Sequence, residues 1–183
     1  VVSYSDDNYD DNNVSIKLVG ANRDNVDLEG YYDDQINGKK FIFYDFEKEK
    51  KVDDIYTLTA TLTDKAGNTS TKSVVFSANR FGSTYAFDSA TKKLNGAYSK
   101  SVKDIVVTET NVNKLNNIKI TLFKNSDTIK LKNGTDYRID VEGGNGKWYK
   151  YVYTIFAKNF SDDGVYRLSF HSEDAAGNIS ENT

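Results

Sequence analysis

The 183-residue sequence contains no cysteine, no methionine and no proline, and it has one histidine and one tryptophan. The lack of cysteine excludes both a disulfide framework and thiol chemistry. No apolar run approaches the roughly 18 residues of a membrane-spanning helix, so we expect no membrane span. Because the sequence does not begin with methionine, we expect a segment of a longer protein, with any signal peptide or anchor outside it.

Strong charge of either sign is also lacking, since the formal net charge is −3. Residues 1–80 carry 10 basic and 15 acidic side chains, and residues 81–183 carry 14 and 12. Neither half is basic enough to indicate a nucleic-acid partner. Tyrosine dominates the aromatic residues, with 13 tyrosines against 10 phenylalanines. Tyrosine suits thin sheets, because its ring packs in the core while its hydroxyl reaches water.

One 15-residue segment occurs twice, at an offset of 110 positions. Tyr56–Ser70 aligns without gaps to Tyr166–Ser180, and seven of the fifteen positions are identical. Self-similarity at a domain-sized offset indicates two copies of one fold. The length of the chain also fits two small domains. We therefore place one domain at residues 1–79 and a second at residues 80–183.

Each copy begins with the pattern of a half-buried β-strand, in which apolar and polar residues alternate with a period of two. Short runs of this kind recur along the chain with turn residues between them, whereas helical periodicity is nearly absent. This arrangement predicts a β-sandwich or a barrel. The inward residues of the repeated strand are Tyr56, Leu58, Ala60 and Leu62 in the first copy, and Tyr166, Leu168 and Phe170 in the second.

A short turn follows each repeated strand, with the sequence Asp-x-Ala-Gly-Asn. Its glycine, Gly67 or Gly177, supplies a positive φ angle. We expect Asp64 and Asp174 to stabilise the turn by accepting hydrogen bonds from nearby backbone N–H groups. The first copy continues into another strand, whereas the second ends at Thr183. We therefore expect the second sandwich to lack its last edge strand or to close differently.

The tyrosine at the start of each repeated strand has a specific role in some β-sandwiches. Tyr166 follows Asp-x-Gly-x, with Gly164 two residues before it, and Leu168 lies two residues after it. This pattern predicts a tyrosine corner, in which the hydroxyl bonds back to the backbone, with leucine where antibody domains place a cysteine. The first copy keeps Tyr56 but has Asp54 in place of the glycine.

On these residues the chain resembles the bacterial immunoglobulin-like repeats of large surface proteins of Gram-positive bacteria. The shared signature is Gly-x-Tyr-x-Leu, a strand and then Asp-x-Ala-Gly-Asn, and it covers the last third of each domain. The resemblance implies an all-β fold of two tandem immunoglobulin-like antiparallel β-sandwiches. The matching residues are Gly164, Tyr166, Leu168, Asp174, Ala176, Gly177 and Asn178, with Tyr56, Leu58, Asp64, Ala66, Gly67 and Asn68 in the first copy.

The resemblance also implies a non-catalytic segment of an extracellular protein at the cell surface or cell wall, acting as a semi-rigid spacer, a stalk or an adhesion module. Its partners would be neighbouring repeats of the same polypeptide and a host or cell-wall glycan or protein. The residues agree with a protein that is not an enzyme. The single histidine, His171, lies on the outward face of its strand, and no Gly-x-Ser-x-Gly motif accompanies it. We therefore expect no catalytic residues and no resident cofactor.

A carbohydrate-binding role is the main alternative. Trp148 lies beside a glycine-rich turn and is followed by Tyr149 and Tyr151. Aromatic rings at a loop mouth stack on sugars, so these residues are candidate ligand contacts of an accessory module in a secreted glycosidase. Packing of the same rings in the core is the competing interpretation.

Two further hypotheses concern the loops and crosslinks. Clustered carboxylates are candidate calcium ligands, although their spacing does not match a twelve-residue calcium loop. The resemblance also allows a lysine–asparagine isopeptide crosslink, for which the sequence identifies no particular residues. The candidate calcium ligands are Asp6, Asp7, Asp10 and Asp11, or Asp33 and Asp34.

Overall fold

The computed structural model describes all residues, Val1–Thr183, and the chain forms two compact units, Val1–Ala78 and Asn79–Thr183. Strands hold 55% of the residues and helices 8%, so the fold is all-β, as the alternating pattern predicts. Every strand pairing in the sheets is antiparallel, which agrees with a β-sandwich fold. Asn79, placed at the end of the first domain by the sequence, belongs to the second unit.

The first unit has seven strands in two sheets. They are β1 (Val2–Ser5), β2 (Val14–Gly20), β3 (Asn25–Val26), β4 (Gly30–Gln35), β5 (Gly38–Phe43), β6 (Asp54–Thr63) and β7 (Thr69–Ala78). One sheet has the order β1-β5-β4 and the other has the order β3-β2-β6-β7. The centre of the core consists of Leu18, Tyr56 and Leu58, against which Phe43, Phe46 and Phe76 pack.

The second unit has eight strands, one short α-helix, α1 (Ser89–Lys92), and one 3₁₀ helix, Ala157–Phe160. The strands are β8 (Thr84–Phe87), β9 (Ile105–Asn111), β10 (Leu115–Lys124), β11 (Asp127–Lys130), β12 (Tyr137–Gly144), β13 (Lys147–Ile155), β14 (Tyr166–Asp174) and β15 (Ile179–Asn182). The sheets have the orders β12-β13-β9-β8 and β11-β10-β14-β15. Buried core residues are Ile105, Val107, Leu115, Ile120, Tyr151, Tyr153, Ile155 and Phe170.

The two units share one strand order. Strands β1 to β7 correspond to β9 to β15 in their order along the chain and in their pairing partners. Each pair of neighbouring strands in the first unit recurs in the second. Strand β8 is the exception, since it lies at the sheet edge beside β9 and has no counterpart beside β1. Strands β1 to β7 therefore have the same topology as β9 to β15.

We expected the second unit to lack its last edge strand or to close differently, and the structure has strand β15 at this edge. Strand β15 has four residues and pairs with β14, whereas its counterpart β7 has ten residues. It forms because the backbone of β14 offers the same antiparallel partner that β6 offers to β7. The structure contains no helix with the length and hydropathy needed to cross a membrane.

Candidate functional site

The turn between β14 and β15 is held by the side chain of Asp174. Its Oδ1 accepts backbone N–H groups of Ala176 at 2.9 Å and Asn178 at 3.0 Å. Gly177 has a φ of +84°, a region that favours glycine because it has no Cβ. The side chain of Asp174 thus accepts hydrogen bonds from backbone N–H groups of the short turn. Its position in Asp-x-Ala-Gly-Asn predicts this role.

The corresponding turn of the first unit joins β6 to β7 with the same bonds. Asp64 Oδ1 accepts the backbone N–H of Asn68 at 2.8 Å, and Oδ2 accepts from its side-chain amide at 2.8 Å. Gly67 has a φ of +88°. These bonds from Asn68 lower the pKa of Asp64 below its ordinary value, because they favour the ionised carboxylate.

Asp174 also anchors a buried amide cluster in the second unit. Its Oδ2 accepts from Asn79 at 2.8 Å, from Asn111 at 3.2 Å and from Asn178 at 3.0 Å. Burial alone raises the pKa of Asp174, but the hydrogen bonds from these amides outweigh it and lower the pKa below its ordinary value. The cluster therefore stabilises the charged form of a carboxylate that is 1% exposed.

Both repeated tyrosines bond back to the carbonyl four residues upstream. The Tyr56 hydroxyl donates to Val52 O at 2.6 Å, and the Tyr166 hydroxyl donates to Asp162 O at 2.7 Å. The two sites differ in burial, because Tyr56 is fully buried whereas Tyr166 is half-buried. The bond is the one that defines a tyrosine corner.

The residues two positions before these tyrosines, Asp54 and Gly164, differ for a structural reason. Asp54 is fully buried and accepts the backbone N–H of Asn22 at 3.0 Å, so it ties β6 to the loop after β2. Gly164 instead lies beside the side chain of Lys124, which a Cβ would contact at 3.0 Å. Asp54 and Gly164 therefore have different local packing, although the hydrogen bond of the tyrosine is present in both units.

A buried carboxylate that the sequence analysis did not single out lies in the core of the second unit. Glu109 is 1% exposed and accepts hydrogen bonds from the hydroxyls of Tyr153, at 2.5 Å, and Ser172. Burial, followed by the bond to Glu109, raises the pKa of Tyr153. A sequence signal existed, because Glu109 continues the inward alternation of Ile105 and Val107 in β9.

The three candidate sugar contacts do not form one platform. Trp148 and Tyr149 are consecutive in β13, so their side chains point to opposite faces of the sheet. Tyr151 is 3% exposed, and its hydroxyl accepts the backbone N–H of Leu115 at 2.9 Å. The ring of Tyr149 stacks against Tyr151 at a centroid distance of 6.3 Å. Tyr149 and Tyr151 therefore pack with the core, and only Trp148 lies on the outer face.

An exposed aromatic pair that the sequence analysis missed lies in the first unit. Tyr31, in β4, is 51% exposed, and Tyr44, just after β5, is 60% exposed. Their ring centroids lie 6.3 Å apart. Phe41 and Phe43 point into the core, so strand alternation places Ile42 and Tyr44 on the outer face of this sheet, with Tyr31 opposite Ile42. This pair is a better candidate for a stacking surface than the residues around Trp148.

Five of the six candidate calcium ligands, all except Asp7, contact protein groups through hydrogen bonds or an ion pair. Asp10 accepts the backbone N–H of Asn12, and Asp11 accepts from Tyr9 at 2.6 Å and from Lys39 at 2.5 Å. The structure contains no group of three or more His, Cys, Asp or Glu side chains that could hold a metal ion. Other acidic contacts are Asp6 with the N–H of Asn8, Asp33 with Gln35 and Asp34 with Lys39.

The single histidine forms a surface pair. His171 lies on β14, and its Nδ1 is 3.0 Å from Oε1 of Glu181 on the neighbouring strand β15. The side chain is 32% exposed. The arrangement is that of cross-strand neighbours on the solvent face of a sheet.

No protein-family model matches the sequence, and no curated protein is significantly similar to it.

Proposed function

We propose that the chain is a non-catalytic segment of a larger bacterial cell-surface or secreted protein, in which it acts as a semi-rigid spacer or an adhesion module. The observation that carries this proposal is the repetition of one strand order in β1–β7 and β9–β15. A repeated unit with its own core is the form expected of a protein built by adding modules. We assign both units to the immunoglobulin-like class of β-sandwich.

Hydrogen bonds that occur in both units support this assignment. The tyrosine bond at Tyr56 recurs at Tyr166, and the aspartate turn at Asp64 recurs at Asp174. These bonds lie at equivalent points in the strand order of each unit. The resemblance to repeats of Gram-positive surface proteins then supports an extracellular location, at the cell surface or cell wall.

The solvent face of the first unit also suits a module that stands in water. Hydroxyl side chains pair across β6 and β7 in three consecutive steps on that face. The pairs are Thr59 with Ser73 at 2.9 Å, Thr61 with Thr71 at 3.1 Å and Thr63 with Thr69 at 2.9 Å. Cross-strand threonine and serine pairs stabilise a sheet without offering an apolar surface for aggregation.

The spacer role is testable by pulling the whole chain, flanked by marker domains, in single-molecule force spectroscopy. Because each unit has its own core, we expect two separate unfolding events, with contour-length gains of roughly 25 nm and 35 nm from about 3.6 Å per residue. A single event covering all 183 residues would contradict two independent modules. The adhesion role predicts in addition that beads coated with the chain bind cells or cell-wall material, whereas a pure spacer leaves them unbound.

A carbohydrate-binding module is the second candidate, and the exposed rings of Tyr31 and Tyr44 are the observation that favours it. A glycan array probed with the full chain tests it. We expect that the double variant Tyr31→Ala/Tyr44→Ala abolishes any specific binding, whereas Trp148→Ala retains it. Tyr98→Ala is the matched control, because Tyr98 is fully exposed. Binding that survives the double variant would exclude this pair as the sugar site.

A further inference from the structure

One long edge strand of the chain, β7, lacks the usual protection of a sheet edge. Each of the four sheets ends in two edge strands, and β7 is the longest of these with ten residues. It pairs with β6 without a bulge, and Lys72 is its only charged residue. Sheet edges are normally shielded by short length, charge, proline or bulges, because an open edge pairs readily with another chain.

The other edge strands have these protections. Strands β1, β3, β8, β11 and β15 have four residues or fewer. Strand β4 contains Asp33 and Asp34. Strand β12 has a shift in its register and contains three charged residues, Arg138, Asp140 and Glu142. Strand β7 is therefore the one edge of the chain that is both long and almost free of charge.

A strand like β8 would not cover the edge of β7. In the second unit β8 pairs with β9, whereas β15, the counterpart of β7, has β14 as its only strand neighbour. Strand β7 likewise has β6 as its only neighbour. All residues of β7 except Phe76 and Ala78 are exposed. The open edge of β7 is therefore a property of the strand order that both units share.

Alternate residues of β7 direct their backbone groups away from β6. The backbone N–H of Asp64 donates to Asn68 O at 2.9 Å, so these two residues form a hydrogen-bonded pair at the start of the hairpin. Hydrogen-bonded and non-hydrogen-bonded pairs alternate along an antiparallel ladder, and residues of the second kind direct their N–H and C=O groups to the other side. By the register with β6, these residues are Thr69, Thr71, Ser73, Val75 and Ser77.

We propose that β7 pairs antiparallel with β7 of a second copy of this chain, about a two-fold axis at Ser73. Ser73 then lies opposite its own copy, and Thr71 lies opposite the second copy's Val75. The outermost pair is Thr69 with Ser77. Every residue of β7 with free backbone groups thus gains a partner, and the two-fold symmetry closes the assembly at a dimer. This pairing does not depend on the proposed spacer or adhesion role.

The side chains of β7 favour this register and a second copy as the partner. Lys72 lies opposite the second copy's Val74, so the only charged residue of the strand does not meet its own copy. An axis at Lys72 would instead place two ammonium groups opposite each other, and an axis at Val74 would leave Thr69 unpaired. Val74 and Val75 are 53% and 59% exposed, and the pairing covers them with the Lys72 methylenes and the Thr71 methyl.

Sedimentation velocity of the full chain at about 10 µM to 1 mM tests the pairing, because an interface of one strand pair is small and small interfaces form weak complexes. We expect a reversible monomer–dimer equilibrium, with slower hydrogen exchange of the β7 amides at high concentration. Ser73→Pro removes a donor that faces away from β6, where an edge strand tolerates proline, and abolishes the dimer. A chain that stays monomeric at about 1 mM overturns the proposal, and so does open-ended assembly beyond a dimer.

Two charged variants of Val74 test the register and remain informative if Ser73→Pro does not fold. Val74→Glu attracts the second copy's Lys72 and Val74→Lys repels it, while both lose the same apolar contact. Because the two-fold axis repeats this pair, we expect the dimer dissociation constant of Val74→Lys to exceed that of Val74→Glu at least about fivefold.

The matched control is Val141→Lys, because Val141 lies on the edge strand β12 and is 54% exposed, nearly the same as Val74. It leaves the dimer dissociation constant unchanged. Equal dissociation constants for the two Val74 variants overturn the proposal, and so does a dimer that Val141→Lys weakens as much as Val74→Lys does.

Discussion

The hydroxyl of Tyr153 donates a hydrogen bond of 2.5 Å to Glu109 Oε2 in the core of the second unit. The hydrogen bonds to this buried carboxylate come from the uncharged hydroxyls of Tyr153 and Ser172 rather than from a cation. A carboxylate that is 1% exposed depends strongly on such donors, because each one replaces water that the core excludes.

We therefore predict that Tyr153→Phe destabilises the second unit by about 1–3 kcal/mol, the usual penalty for leaving a buried polar group without its partner. Urea unfolding followed by tryptophan fluorescence measures this selectively, since the single tryptophan, Trp148, belongs to this unit. Tyr98→Phe is the control, and it should change stability by less than about 0.5 kcal/mol because Tyr98 is exposed. Equal effects of the two variants would contradict the role of the Glu109 bond.

The two tyrosine corners should differ in their contribution to stability. Tyr56 is fully buried, so Tyr56→Phe leaves the Val52 carbonyl without its donor and should cost about 1–2 kcal/mol. Tyr166→Phe removes a solvent-exposed bond to Asp162 and should cost less than about 1 kcal/mol. Amide hydrogen exchange resolves the two units separately. A larger effect at Tyr166 would show that burial does not decide the strength of these bonds.

Protonation of the turn aspartates should lower the free energy of unfolding in acid. The pKa of Asp174 lies below its ordinary value of 3.8 in the folded chain, so its contribution is complete above that value and is lost as the pH falls through the folded pKa. Urea midpoints of the second unit, measured from pH 7 down to pH 2, should decrease at the acid end. Asp174→Asn should lower the midpoint at pH 7 and flatten the acid decrease.

Asp140→Asn serves as the control for this experiment, because Asp140 has an exposed side chain on β12. It should leave the acid decrease in place. If Asp174→Asn and Asp140→Asn give the same pH profile, the amide cluster around Asp174 is not the source of the acid sensitivity.

The stability cost of substituting Gly177 should depend on the backbone φ angle rather than on the space available for a side chain. A Cβ at this position meets no atom within 4 Å, but its φ of +84° strains most side chains. Gly177→Ala should therefore cost roughly 1–2 kcal/mol, and Gly177→Asn should cost less, because asparagine tolerates the left-handed region. Chemical unfolding of both variants tests the order, and a milder effect for alanine than for asparagine would refute it.

Features that depend on neighbouring residues along the chain were predictable from the amino-acid sequence. Alternation with a period of two predicted the strand that begins at Tyr56, and the Asp-x-Ala-Gly-Asn segment predicted the aspartate turn, because both depend on residues within a few positions. The repeat at an offset of 110 residues likewise indicated two units of similar fold. The bond from Tyr56 to a carbonyl four residues away is local for the same reason.

Which distant residues meet depends instead on how the sheets pack against each other. Glu109 and Ser172 come together because β9 and β14 lie in facing sheets, and a single sequence contains no signal for that distance. The same packing buried Tyr151 beside Leu115. Pairing between strands far apart in the chain depends on the complementarity of whole sheets, so local patterns predict the strands but not their neighbours.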